Sequence, residues 1–300
     1  MWGIGRLLRD VISVSIGPAT NKPILSALRG AQEGLYRLRV VTVADPPHSL
    51  AGRRALVTGS TGGIGLAIAE RLAALGCAVT LHGLLPPAEG AALAARLPGG
   101  ARYLRADLAE PGAAQALGQA AGPLDILVNN AATRHFGPIE EMPPEAWETD
   151  LAVNLSAAFH LIRGALPGMR ARDWGRILNL SSIYGLVGAA DRVGYVVTKT
   201  ALIGLTRAVA LETAATGITC NALCPGSTLT PNIEGRLRAL MQREGCGEAE
   251  AARRFLAGKQ PSGRFVEAGA VAALAAFLCG PEGRDITGAA LPLDGGWSAA

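Results

Sequence analysis

The sequence predicts a doubly wound α/β fold: one domain with a seven-stranded parallel sheet and helices on both faces. Three observations predict it. From Leu50 to the C-terminus, short β-type runs alternate with Ala/Leu-rich helical stretches, the pattern of parallel strands joined by crossover helices. The first run enters a glycine-rich turn, Thr58-Gly59-Ser60-Thr61-Gly62-Gly63-Ile64-Gly65, which opens a helix. The composition is 49% hydrophobic with 39 glycines and only 4% aromatic residues, which suits close helix-on-strand packing and excludes wholesale disorder.

The elements follow in order along the 300 residues. Strand 53–58 carries Ala55-Leu56-Val57 and leads through the glycine turn into helix 64–75. Strand 77–82 with helix 89–97 and strand 102–105 with helix 111–121 repeat the unit. Strand 126–129 is followed by one long helix, 145–169, then strand 176–182 and helix 195–216. Strand 219–223 opens a polar, Gly-punctuated excursion over 226–263, with helical pieces at 236–243 and 248–257. Helix 268–279 and the short strand 290–293 close the chain. One continuous core over 49–300 accounts for this better than two domains.

The net charge of +4 does not point to nucleic acid. Most of the excess lies in 1–48, where Arg6, Arg9, Lys22, Arg29, Arg37 and Arg39 outnumber Asp10, Glu33 and Asp45. A nearly neutral body without a basic run is a poor phosphate-backbone binder. The five cysteines (77, 220, 224, 246 and 279) are odd in number and form no CxxC, so they read as free thiols in a reducing, cytoplasmic setting. The four histidines have no metal-ligand spacing, and no metal is expected. No apolar run reaches the 18 residues of a spanning helix, so no membrane role is expected. Residues 1–48 read as a poorly ordered extension ending at Pro46-Pro47, with an alternative start near Val41 or Val43.

Two sites carry chemistry. Glycines between a strand and a helix let backbone N–H groups approach a pyrophosphate, where the helix dipole favours negative charge. Tyr195 and Lys199 stand at i,i+4 and share one helix face. A phenol is a poor base at neutral pH, and a nearby ammonium favours its phenolate. The pair suits general acid/base work on an alcohol and its ketone. Ser182 ends a strand at the sheet edge where ligands sit in open α/β sheets; it is the expected partner of the substrate oxygen, with Ser181 as second choice.

The ordered motifs resemble the short-chain dehydrogenase/reductase family. They are the glycine turn, Asn129-Asn130-Ala131-Ala132 with Ala132 in place of Gly, Asn154, Ser182, Tyr195-Val196-Val197-Thr198-Lys199, Cys224-Pro225-Gly226 and Asp294-Gly295-Gly296. The resemblance covers 50–300. It implies an NAD(P)-dependent alcohol/ketone oxidoreductase with Asn154, Ser182, Tyr195 and Lys199 as its catalytic set. It implies cofactor contacts from Gly59, Ser60, Thr61, Gly63, Ile64, Gly65, Asp107, Leu108, Asn130, Pro225, Gly226 and Thr230, besides Tyr195 and Lys199. Lys199 would also hold the nicotinamide ribose, and Asn154 would support a water in the proton relay. Asp107 reads equally as the N-cap of the next helix, and Thr230 as a turn residue before Pro231. His82-Gly83-Leu84 at the end of the second strand offers neither an acid for the ribose nor an Arg or Lys for a 2′-phosphate. NAD is therefore expected, with NADP not excluded.

Much of 58–297 resembles the bacterial 3-hydroxybutyrate dehydrogenase branch, through Ala165-Leu166-Pro167-Gly168-Met169, Lys259-Gln260-Pro261-Ser262 and Asp294-Gly295-Gly296-Trp297 among other phrases. Where that branch has Gln, His, Lys and Gln near its substrate, this chain has Arg134, Tyr184, Arg192 and Arg236; Gln260 and Trp297 complete the expected substrate set. Arg suits bidentate carboxylate binding, so an anionic substrate is expected, of hydroxybutyrate type or larger. The alternatives are a 3-oxoacyl thioester, a sugar acid, or a non-catalytic dinucleotide-binding regulator. A homodimer or homotetramer is also expected by resemblance.

Overall fold

Strands covered on both faces read as near-continuous apolar runs, and the central strands of the sheet are such runs, whereas its edge strand Arg102–Arg105 is half exposed. The computed structural model describes residues 49–300; the expectation for 1–48 lies outside the described residues. The strands are β1 (Arg54–Val57), β2 (Ala78–Gly83), β3 (Arg102–Arg105), β4 (Ile126–Asn129), β5 (Gly175–Leu180), β6 (Ile218–Pro225) and β7 (Ala290–Leu293). All pair in parallel, in the order β3-β2-β1-β4-β5-β6-β7. The order reverses between β1 and β4, which opens a crevice at their C-terminal ends.

The helices are α1 (Gly63–Ala74), α2 (Pro87–Ala94), α3 (Ala113–Ala121), α4 (Pro144–Leu151), α5 (Ala157–Ala171), α6 (Val193–Thr213), α7 (Pro231–Glu244), α8 (Glu248–Leu256) and α9 (Ala268–Cys279). Strand side chains alternate between two cores. Ala55, Val57, Ile126 and Val128 join Ile68 and Leu72 of α1 and Val271, Ala275 and Leu278 of α9. Leu56, Leu127 and Ile177 join Leu117, Leu161, Ile162, Met169 and Val209 from α3, α5 and α6 on the other face. Each fully buried large side chain contributes about 1.5–3 kcal/mol. The alanine bias falls where α1 and α9 meet, at buried Ala69, Ala73, Ala272 and Ala276. By length and composition α6 could cross a membrane, but Leu202, Ile203, Val209 and Ala210 on its inner face are core residues.

One expected element divides. In place of a single helix over 145–169, α4 and α5 are joined by a π-helical turn, Ala152–Ser156. The cause is Asn154. Its amide leaves the helix to bind both backbone groups of Thr133, at 2.8 and 2.9 Å. Such local widening commonly marks functional positions. The piece expected at 236–243 lengthens into α7, with Pro231 pre-set for its first turn, and the piece expected at 248–257 is α8, one residue shorter.

At the N-terminal edge of the sheet, buried Asp125 joins three elements. Its carboxylate accepts from Arg54 N (2.9 Å), Arg54 Nε (3.3 Å) and Arg172 Nε (3.0 Å). Both arginines keep partial access to water, so most of the penalty for losing the acid falls on the backbone N–H of Arg54. Asp125→Ala should cost about 2–3 kcal/mol and Asp125→Asn about half that, as read by urea unfolding.

Candidate active site

The crevice is shaped first by the β1–α1 turn. Gly59 and Gly63 both have positive φ (60° and 54°), open to glycine at no steric cost. A Cβ on Gly65 would lie 2.4 Å from the carbonyl oxygen of Gly59 and 2.5 Å from Asn130 Nδ2. One on Gly59 would lie 2.8 Å from Ala131 Cα. The turn is thus a cradle of bare backbone at the start of α1, and the N–H groups of a helix start attract anions.

Several expected cofactor residues hold this cradle from behind. Asn130 donates through Nδ2 to the carbonyls of Thr58 and Gly59, both at 2.9 Å. Ser60 is fully buried; its hydroxyl donates to Val57 O at 2.7 Å and accepts from His82 N at 3.0 Å. The side chains of Asn130 and Ser60 are therefore braces of the turn. His82, read from the sequence only for its lack of charge, is a third brace. Its Nδ1 accepts from Gly59 N at 3.2 Å and its Nε2 lies 3.0 Å from Ala106 O. That pattern fits the neutral ring with its proton on Nε2. Burial pushes its pKa below the ordinary 6.5.

Two cavities flank the turn. One, of about 470 Å³, is lined by Gly59, Thr61, Gly83, Leu84, Asp107 and Leu108 among others. Asp107 Oδ1 also accepts from Ala109 N at 3.0 Å, forming a local turn; its alternative reading as the N-cap of the next helix is corrected, because α3 is capped at Gly112, five residues on. Arg105 reaches the same rim from β3, with Nε 3.3 Å from Leu84 O, and sequence reasoning missed it.

The second cavity, of about 130 Å³, collects most of the remaining expected residues. Ile64, Pro225, Gly226 and Thr230 line it, as do Ser182, Tyr195, Arg134, Tyr184, Arg192, Arg236 and Trp297. Thr230 bends over the glycine turn, 3.2 Å from where a Cβ on Gly63 would stand. α6 brings Tyr195 to the cavity and buries Lys199 one turn on; Gly194, in its first turn, lets Asp150 of α4 approach to 2.5 Å of a notional Cβ.

Ser182 and Ser181 separate clearly. Ser181 Oγ donates to Lys199 O at 2.7 Å, which commits its proton to the scaffold. Ser182 Oγ only accepts, from Tyr184 N at 3.2 Å, so its own proton is left for a ligand in the cavity. Lys199 is buried, with Nζ 2.7 Å from Leu180 O and 5.5 Å from the Tyr195 ring centre. Burial, then the Arg134 guanidinium, push its pKa down to about 7. Asn154 does not line the cavity; its Nδ2 reaches Thr198 Oγ1 at 3.1 Å, one residue before Lys199.

Aromatic faces carry the guanidinium groups. Arg134 lies 5.0 Å from the Tyr195 ring centre. Arg192 lies 4.9 Å from that of Tyr184 and 5.2 Å from that of Phe136. Tyr184 packs edge-on against Trp297 at 5.4 Å. Gln260 is the exception. Both ends of its buried amide are committed to backbone, to Ser227 N and to Arg264 O at 2.6 Å, so it anchors the substrate loop instead of facing the cavity. Its neighbour Lys259 lines the cavity instead.

The His82 clamp has a pH signature. With the folded-state pKa depressed, the unfolded chain binds more protons below the ordinary value, so stability falls as pH drops through about 6.5. His82→Gln should remove this contribution. The difference between the two urea-unfolding curves should be flat above pH 7.5 and shrink towards pH 5.

Known proteins carry the same arrangement. The family model described as enoyl-(acyl carrier protein) reductase matches residues 59–298. D-beta-hydroxybutyrate dehydrogenase of Cupriavidus necator is 44% identical over 256 residues, covering 83% of this chain and 99% of that protein. 2-Keto-3-deoxy-L-fuconate dehydrogenase of Xanthomonas campestris is 34% identical over 268 residues, covering 88% and 86% respectively. Among solved structures, L-sorbose reductase from Gluconobacter frateurii, complexed with NADPH and L-sorbose, aligns with a TM-score of 0.78 at 31% identity, covering 85% of this chain and all of that one. With its glycine cradle, parallel sheet and Tyr195–Lys199 helix in the same frame, the chain belongs to the short-chain dehydrogenase/reductase family.

Proposed function

We propose that this chain interconverts a secondary alcohol and a ketone on a small anionic hydroxy acid of the 3-hydroxybutyrate type, using NAD(P). One observation carries the reading. The hydroxyl-bearing side chains of Ser182 and Tyr195 line the same small cavity as Arg134, Arg192 and Arg236. An alcohol oxygen and a carboxylate of one short molecule find their complements there together.

The cradle fits a dinucleotide. Gly59, Gly63 and Gly65 leave backbone exposed where a Cβ would otherwise stand. Thr61, Asp107 and Leu108 are offered to the adenosine end, and Ile64, Pro225, Gly226 and Thr230 to the nicotinamide end. A bound nicotinamide supplies the hydride acceptor or donor. The residues of the chain do the rest. Tyr195 removes the alcohol proton, or returns it in the reverse direction, and Ser182 donates a hydrogen bond to the same oxygen. Lys199 supports Tyr195 electrostatically and offers an N–H to the ribose. Asn154 is a positioning residue, holding Thr133 and Thr198 around this pair. The absence of an acid at the end of β2 leaves the ribose selection open, and Arg105 beside Leu84 gives a 2′-phosphate a possible partner.

Residues 49–300, of which the family model matches 59–298, would be the catalytic domain and 1–48 an extension. Five free thiols, four of them buried, support a cytoplasmic setting. Leu211, 80% exposed, and Phe159, 48% exposed, support a homo-oligomer of two or four chains.

Three variants test the reading by initial rates of NADH formation. Tyr195→Phe should lower kcat at least 10³-fold with cofactor affinity nearly intact, because only the acid/base hydroxyl is lost (about 4 kcal/mol or more). Turnover above a few per cent would remove Tyr195 from this role. Arg192→Met should depress kcat/KM for 3-hydroxybutyrate about 30- to 100-fold, a loss of roughly 2–3 kcal/mol, and depress it at least tenfold less for a neutral alcohol of similar size. Equal losses would make Arg192 structural.

Lys199→Met should abolish turnover yet stabilise the protein. The native lysine titrates near 7 against an ordinary 10.5, so the unfolded chain binds more protons across that window. The burden of burying the ammonium is full below pH 7 and disappears as pH rises past 10.5. The gain should be about 1–2 kcal/mol, roughly 2–4 °C, at pH 6.5 and smaller at pH 9.5, measured by thermal unfolding without cofactor.

A further inference from the structure

We propose that the substrate carries a second carboxylate, remote from the reacting alcohol, which Arg236 and Lys259 receive across the face of Phe255 on α8. This rests on the hydroxy acid reading above and narrows it from a monoanion to a dianion.

The argument is one of charge placement. The cavity is lined by Arg134, Arg192, Arg236 and Lys259, and by no Asp or Glu. These cations fall at two stations. Arg134 stands over the ring of Tyr195, at the reacting end. Arg236 and Lys259 share the ring of Phe255, at 5.1 and 4.2 Å from its centre. Arg192 lies between them, against Tyr184 and Phe136.

Three other arginines on the same two helices, Arg243, Arg253 and Arg254, are paired. Arg243 and Arg254 bind Glu244, and Arg253 and Arg254 bind Glu250. The arginines facing the cavity form no ion pair among the described residues. Arg192 Nε donates to Ala190 O at 3.2 Å and Lys259 Nζ to Phe255 O at 2.8 Å; both are backbone contacts that leave the charge uncompensated. The cations also act on one another, since Arg134 and Arg192 oppose the charge on Arg236, and Arg236 and Arg192 that on Lys259.

A lone carboxylate docked near Tyr195 would neutralise the inner station and leave Arg236 and Lys259 facing each other without a counter-ion. A second carboxylate on the same molecule compensates both. Guanidinium and ammonium groups laid on aromatic faces keep their N–H edges free for that purpose. The cavity volume of about 130 Å³ favours a short-chain diacid over a bulky phosphate ester.

The test compares 3-hydroxyglutarate, its mono-methyl ester and 3-hydroxybutyrate as substrates of the full chain with saturating NAD. The expected result is a kcat/KM for the diacid at least tenfold above that of the ester. Arg236→Gln should collapse that ratio to within threefold of one. In parallel, unreactive glutarate should raise the melting temperature of the NAD-loaded protein more than butyrate does at equal concentration. That difference should vanish in Arg236→Gln. If 3-hydroxybutyrate is oxidised in a Tyr195-dependent way while diacid and ester are equal, the second carboxylate is refuted and the hydroxy acid reading stands. If no acid is oxidised and none shifts the melting temperature, the hydroxy acid reading itself falls, and the proposal with it.

Discussion

The approach of Gly65 to the carbonyl of Gly59 is the constraint on which the site depends. Only a residue without a Cβ lets α1 start so close to the end of β1. That closeness leaves backbone of the turn bare of side chains at the crevice between β1 and β4, while the N–H groups of Gly59 and Ser60 are committed to His82. The turn has few bonds of its own, so its shape is imposed from outside. Asn130 holds two of its carbonyls, Ser60 ties it to Val57 and β2, and His82 links it to the end of β3. Groups that cradle an anion must not spend their own polarity on it, and here the bracing and the binding are done by different atoms.

Lys199 shows the complementary principle. The site buries an ammonium with one carbonyl partner, beneath a second cation, Arg134. Nothing in folding rewards that arrangement. It makes sense only when a ligand supplies negative charge or hydroxyl groups nearby, so a cost in stability is retained for function. An anion on Arg134 would relieve the repulsion on Lys199 as well, so substrate charge and the state of the lysine are coupled through one guanidinium.

The fold was legible from alternation and from the glycine turn, because strands buried on both faces and helices with alanine-lined contacts leave strong local patterns. Tyr195, Lys199 and Ser182 were legible because their spacing is set by a single helix and a strand end. What was not legible depends on which atom of a side chain faces where. Ser60, Asn130 and Gln260 occupy the expected places but turn their polar atoms towards the backbone. Lys259, adjacent to Gln260 in sequence, faces the cavity instead. A one-residue shift in a loop anchor reverses which neighbour looks inward, and no periodicity records it. The break of the 145–169 helix had the same origin, since the pull of Thr133 on Asn154 is a contact between segments far apart in sequence.

The Arg-rich cavity separates what is general in this site from what is particular to the chain. The hydroxyls of Ser182 and Tyr195 and the glycine cradle would serve any secondary alcohol. Specificity has to come from groups that touch the rest of the substrate. Three guanidinium groups on aromatic shelves form a stiff, directional set, because the planar fork fixes where an anion can sit and the rings limit its rotation. Two of the shelves, Tyr184 and Tyr195, belong to the rigid frame, whereas Phe255 rides on a pair of helices with a small core of its own around Ile233, Leu237 and Ala251. The inner anion site is therefore carried by the helix that holds Tyr195, and the outer one by the α7–α8 pair, so a substrate that reaches both must match the distance between two separately packed pieces.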